Sequence, residues 1–100
     1  MSDISIQDFL AIKNQEIQII DVREYYEYEK GHLKALHIPM DQVLQSINKI
    51  HAKNKVIIYC QTGRRAAAVV YMLKKYHNMD NVYNLLGGYT AYKEVQLKVT

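Results

Sequence analysis

Lys55-Val56-Ile57-Ile58-Tyr59-Cys60, then Gln61-Thr62-Gly63-Arg64-Arg65-Ala66, is the stretch on which the reading of this chain turns. From Val56 onward the first half is apolar on both faces, the pattern of a central parallel strand covered by helices on each side. Gln61-Thr62-Gly63-Arg64 breaks that pattern. Ala66 to Tyr76 then reads as a helix, apolar nearly all round at its start and so expected to be well buried. Lys74 and Lys75 fall in its last turn, where positive charge complements the helix dipole, and Asn78 supplies a left-handed cap. A strand therefore delivers a thiol to a short glycine-bearing loop and a helix start.

Working outward, the same alternation continues in both directions. Ser5-Ile6-Gln7-Asp8 has the spacing of a capping box, and Ile6, Phe9 and Leu10 share one face of the helix it would start. Ile17-Gln18-Ile19-Ile20 suits a buried strand. Glu24 to Glu29 reads as one or two helical turns with a solvated acidic face, ended by Gly31. Leu36-His37-Ile38 is a short strand stopped by Pro39. Asp41 is placed to cap a helix carrying Val43, Leu44, Ile47 and Ile50 on one face. Downstream, Val82 to Leu86 is a strand, Gly87-Gly88 a turn, and Tyr89 to Val95 a last helix. Strands alternating with helices predict an α/β fold with a mainly parallel sheet. Ligands of such sheets bind outside the carboxyl ends of the strands, where Cys60 stands.

Composition narrows the function classes. One hundred residues predict a single domain over 1–100, and 49% hydrophobic residues argue against disorder. One cysteine cannot form an internal disulfide or a multi-cysteine zinc site, and His37, His51 and His77 show no ligand spacing. A lone thiol fits a reducing compartment, so a cytoplasmic location is expected. No apolar run approaches a membrane span, and Met1-Ser2-Asp3 opens no signal peptide. The net charge of +3, from 13 basic against 10 acidic residues, is mild and scattered, so neither nucleic acid nor membrane is an expected partner. Nine tyrosines beside no tryptophan mark aromatic packing positions filled by Tyr.

A strand-loop-helix junction aims loop N–H groups and a helix N-terminus at one point, which attracts anions. Such a point favours the thiolate, the nucleophilic form of cysteine. Gly63 relieves the strain of a tight cradle, and Arg64 and Arg65 add positive charge for an anionic substrate. A lone cysteine at a strand end is also commonly a small buried hydrophobe. The residues alone leave both readings open.

Three separated segments, in order, resemble the single-domain rhodanese family of thiosulfate sulfurtransferase-like domains. Asp21-Val22-Arg23-Glu24, with Glu27-Tyr28 and Gly31-His32, resembles its N-terminal signature. Cys60 to Arg65 resembles its active-site loop, here Cys-x-x-Gly-x-Arg. Leu86-Gly87-Gly88-Tyr89-Thr90-Ala91-Tyr92-Lys93 resembles its C-terminal signature, and the likeness runs from Ile4 to Val99. Departures are Tyr92 for a frequent Trp, Tyr25 for a frequent Pro, a shortened segment between His32 and Pro39, and Ala66 where many members have Ser. The last removes a hydroxyl, so the helix start leans on backbone donors.

The resemblance implies a rhodanese-like three-layer α/β/α fold with about five strands, and sulfur transfer through a Cys60 persulfide. The donor would be thiosulfate or a related sulfane, and the acceptor a thiol or cyanide, with a protein acceptor open and no metal or organic cofactor needed. The loop N–H groups of Gln61, Thr62, Gly63, Arg64 and Arg65 would cradle the sulfur. Asp21, Arg23 and His32 would brace the loop through hydrogen bonds, the alternatives being an Arg23 that touches substrate and a His32 that acts as general base. Two rivals stand beside this reading. A phosphatase or arsenate reductase would need arginine six places after the cysteine, and position 66 is Ala66. A non-enzymatic interaction module would need no cysteine, whereas Cys60 is present, and a persulfide carrier would use that thiol toward a protein partner. With no second cysteine in the sequence, a persulfide on Cys60 must be discharged to an outside acceptor.

Overall fold

The computed structural model describes residues 2–99. Five strands form one sheet: β1 (Asp3–Ile4), β2 (Gln18–Asp21), β3 (Leu36–His37), β4 (Val56–Tyr59) and β5 (Val82–Leu85). Their order is β1-β5-β4-β2-β3, and all pairings are parallel. Four helices, α1 (Ile6–Ile12), α2 (Tyr25–Glu29), α3 (Arg64–His77) and α4 (Gly88–Val99), complete an α/β/α arrangement.

β4 is central: its large hydrophobic side chains leave all four of its residues buried. Side chains alternate across a strand, and the two cores follow that alternation. Val56, Ile58 and Cys60 pack with Ile20, Val22, Ala66, Val69 and Leu73 on one face. Ile57 and Tyr59 pack with Ile6, Phe9, Leu85 and Tyr92 on the other. Asp21 pairs with Tyr59 across the ladder, so Val22 comes level with Cys60. This parity puts Val22 in the core that holds Cys60, while Asp21 and Arg23 stand at odd positions beside Tyr59.

Most of the expected elements are present, with instructive differences. Ser5 caps α1, its hydroxyl accepting from the Asp8 N–H at 3.1 Å. Asn78 closes α3 at φ 53° and ψ 33°. The expected helix after Asp41 is instead two 3-10 turns, Met40–Gln45 and Ile47–Lys49, beginning at Pro39. Three residues per turn rotate Leu44 off the buried face that Val43 and Ile50 share, leaving it 46% exposed. The start of α3 is buried along one stripe only: Ala66, Val69 and Val70 are covered, while Ala67 and Ala68 are exposed. Methyl side chains satisfied the apolar pattern there without needing cover. Tyrosine is not uniformly a packing residue, since Tyr25, Tyr26, Tyr71 and Tyr76 lie at the surface. Edge strand β1 has no expected counterpart, because two residues carry too little periodicity to read.

Candidate active site

Cys60 follows β4 directly and its side chain is fully buried. Its Sγ accepts two backbone hydrogen bonds, from Gly63 N at 3.1 Å and Ala66 N at 3.3 Å. Gly63 makes this turn possible. It sits at φ 102°, a region that side chains disfavour, and caps α3. Of the five loop residues expected to cradle sulfur, Gly63 is the one whose N–H reaches Sγ. The second donor, Ala66, was missed, although its lack of a hydroxyl pointed to backbone donors at that helix start.

The carbonyl side of the loop is held from α4. Tyr89 N donates to Cys60 O at 2.8 Å, and Thr90 N to Gln61 O at 3.0 Å. The Gln61 side chain bridges two segments, Arg23 and Thr90. Its Nε2 donates to Thr90 Oγ1 at 3.0 Å, and its Oε1 accepts from Arg23 Nη1 at 3.0 Å. Thr62 and Arg64 are exposed.

Arg23 is the largest fully buried side chain, 1% exposed. Its Nη2 meets Asp21 Oδ2 at 2.7 Å, and its Nε lies 3.1 Å from both Asp21 oxygens. Nη2 also donates to Gly31 O at 2.8 Å. The guanidinium stacks over Tyr89 at 4.5 Å. Burial pulls its protonation down, but the hydrogen bonds and charge of Asp21 more than offset this and hold it up. Burial, then the Asp21 carboxylate, likewise pushes the Tyr59 hydroxyl far above the usual tyrosine range. That hydroxyl accepts from Leu33 N at 3.0 Å. His32 is not brought to the loop by any of its contacts. Its Nδ1 lies 2.6 Å from Leu33 O, and its ring stacks on Tyr28 at 3.8 Å. His37 stacks on Tyr28 as well, at 4.4 Å.

The residue that sequence reasoning placed wrongly is Glu27, expected on a solvated face. It is 16% exposed at its side chain and forks onto Arg65, with both N–O distances 2.8 Å. Its Oε1 also accepts from Glu24 N, which starts α2. A short helix facing the start of α3, 38 residues away, leaves no local signal. The Arg65 fork, with the backbone bond to Glu24 and against the opposing effect of burial, lowers the Glu27 carboxyl from 4.5 to about 2. The folded value lies below the unfolded one, so the pair's stability is complete above the unfolded value and lost as pH falls toward 2. Glu27→Gln is therefore expected to cost on the order of 1 kcal/mol at neutral pH, since Arg65 is partly screened by solvent. Denaturant melts down to the acid limit should find that difference closing. A pH-independent difference would remove the ion pair from the account.

A family model for the rhodanese-like domain matches residues 5–95. The chain belongs to the rhodanese-like family. Rhodanese-like relatives span it almost end to end. YqhL of Bacillus subtilis (strain 168), named as uncharacterized, is 40% identical over 89% of this chain and 70% of its own length. The thiosulfate sulfurtransferase GlpE of Coxiella burnetii is 31% identical over 82% of this chain and 77% of its own. The crystal structure of a rhodanese-like domain protein from Staphylococcus aureus superposes with a TM-score of 0.81 at 29% identity, covering 92% of this chain and 91% of that one. The rhodanese-like sheet places the Cys60 loop at the carboxyl end of its central strand. No helix among the described residues is long and apolar enough to cross a membrane.

Proposed function

We propose that the protein is a sulfurtransferase, which takes a sulfane sulfur onto Cys60 as a persulfide and passes it to a thiophilic acceptor. The observation that carries this reading is the pair of backbone N–H donors on Sγ, at 3.1 and 3.3 Å. Donors fixed in place before reaction stabilise negative charge on sulfur without reorganisation, as an oxyanion hole does for oxygen, where one donor is worth about 2.7–4 kcal/mol.

In the first half-reaction the Cys60 thiolate attacks the outer sulfur of a donor such as thiosulfate. The donor S–S bond breaks, its electron pair leaves with sulfite, and Cys60 keeps a terminal S⁻. In the second, an acceptor thiolate or cyanide attacks that terminal sulfur and the Cys60 thiolate departs. Gly63 and Ala66 N–H hold the charge at each stage. Two covalent half-reactions predict ping-pong kinetics. The similarity to a named thiosulfate sulfurtransferase supports the same class.

Intact-protein mass spectrometry after incubation with a panel of sulfane donors tests the reading. The wild type should gain the mass of one sulfur, lose it on adding thiol or cyanide, and Cys60→Ser should gain none. A wild type left unmodified by every donor overturns it.

A further inference from the structure

A cavity of about 400 Å³ lies between α3 and the β1–β5 side of the sheet. No residue from Cys60 to Arg65 lines it, so it is a site apart from the sulfur chemistry. Its volume falls within the roughly 300–1,000 Å³ usual for small-molecule sites. Two polar groups on its wall lack partners. Lys74 is half-buried, and its ammonium makes no ion pair or hydrogen bond among the described residues. Lys75 differs, since its Nζ donates to the Tyr71 hydroxyl at 3.1 Å. Asn84 is 4% exposed. Its Nδ2 donates to Asp3 Oδ1 at 3.3 Å, a long bond, and its Oδ1 is covered and has no donor. No other buried side-chain nitrogen or oxygen among the described residues is left so.

These groups specify an occupant. The wall carries two ammonium groups against one carboxylate, Asp3, so it favours an anion over a cation. A buried acceptor without a donor is costly, and a ligand N–H removes that cost. The rest of the wall is mainly apolar. Ala67, Val70 and Tyr71 fall at helical spacing along the flank of α3 that ends at Lys74.

We propose that this cavity binds a small amphipathic carboxylate with an N–H donor beside an apolar branch, the chemistry of a free N-acyl amino acid. The carboxylate pairs with Lys74. The N–H donates to Asn84 Oδ1, which comes into the cavity as the amide turns about its final bond. Asp3, exposed at the sheet edge, exchanges its long bond for water. The branch lies against Ala67, Val70 and Tyr71. Binding is reversible and involves no covalent step.

Titration of the ¹⁵N-labelled protein with N-acetyl-L-leucine, followed by amide NMR, tests the assignment. Saturable shifts should gather at the backbone amides of Ala67, Val70 and Tyr71 and at the Asn84 side-chain amide. The neutral N-acetyl-L-leucinamide should bind roughly fivefold more weakly, the scale of one partly exposed ion pair, and added salt should narrow that gap. Lys74→Gln keeps the length and removes the charge, so it should bind acid and amide alike. An analogue with CH₂ in place of the N–H should bind roughly two- to tenfold more weakly than N-acetyl-L-leucine. Asn84→Val should erase that second preference. Both ligand comparisons are made first on the wild type, so neither depends on a variant that folds. A peptide ending in leucine should bind no more tightly than the free acid. Clearly tighter binding of the peptide would assign the cavity to a protein terminus and overturn the small-molecule proposal. Absence of saturable shifts, shifts gathered elsewhere, or equal binding of acid and amide by the wild type would overturn it as well.

Discussion

Arg23→Met should lower stability by about 3–5 kcal/mol, the loss observed when one partner of a buried ion pair is removed. That is a large part of the roughly 5–15 kcal/mol that holds a small domain together. The reason lies in what is left behind. Asp21 is fully buried, and three of its side-chain contacts go to the Arg23 guanidinium. Methionine fills much of the volume but leaves that carboxylate without a counter-charge. It also strips Gln61 Oε1 and Gly31 O of their donor. Denaturant unfolding of Arg23→Met and of Asp21→Asn/Arg23→Met separates these costs. The double variant should regain part of the loss, because a neutral amide needs no cation. A single-variant loss below about 1 kcal/mol would mean that the pair adds little over a hydrophobic replacement.

Gly88→Ala should damage the loop from behind. Gly88 sits at φ +59°, and a Cβ there would lie 2.4 Å from Cys60 O and 2.8 Å from the Gln61 carbonyl carbon and oxygen. These are backbone atoms, so relief requires the sulfur-bearing turn itself to move. The left-handed conformation and the overlap together should cost about 2–4 kcal/mol. The larger effect should be kinetic, since misplacing a reacting group by about 1 Å can slow chemistry about a hundredfold. Sulfur uptake by Gly88→Ala at a temperature where it is fully folded is the measurement. Gly31→Ala is the comparison. Its Cβ would meet mainly the Tyr89 hydroxyl, at 2.7 Å, the far end of a side chain. It should be the milder change. Equal uptake by Gly88→Ala and wild type would detach α4 from the support of the loop.

The elements legible in the chain were those with a strong local pattern. β4 is apolar at every position and had to be central. The cap at Asn78 and the left-handed backbone of Gly87 and Gly88 at the entry to α4 follow from residues that tolerate that conformation. The 3-10 turns after Pro39 were not legible, because Val43, Leu44, Ile47 and Ile50 satisfy a helical period equally well. In the fold Val43, Ile47 and Ile50 pack into the core that holds α3 while Leu44 stays exposed, a split that the sequence pattern does not show. Within the site, Cys60 and Gly63 could be read from a strand-loop-helix junction. Glu27 could not. In a Glu- and Tyr-rich turn it looks like its neighbours, and its difference arises from a helix start 38 residues later.

The sequence by itself determined the α/β alternation, the lone thiol and its place at a strand tip, since each rests on neighbouring residues. Tertiary structure decided which charges remain free to act. Parallel register aligned Asp21 with Tyr59 and sent Arg23 into the interior. The docking of α2 against α3 joined Glu27 to Arg65. A charge is written in the sequence, but whether it is cancelled depends on distances of a few ångströms between segments far apart in the chain.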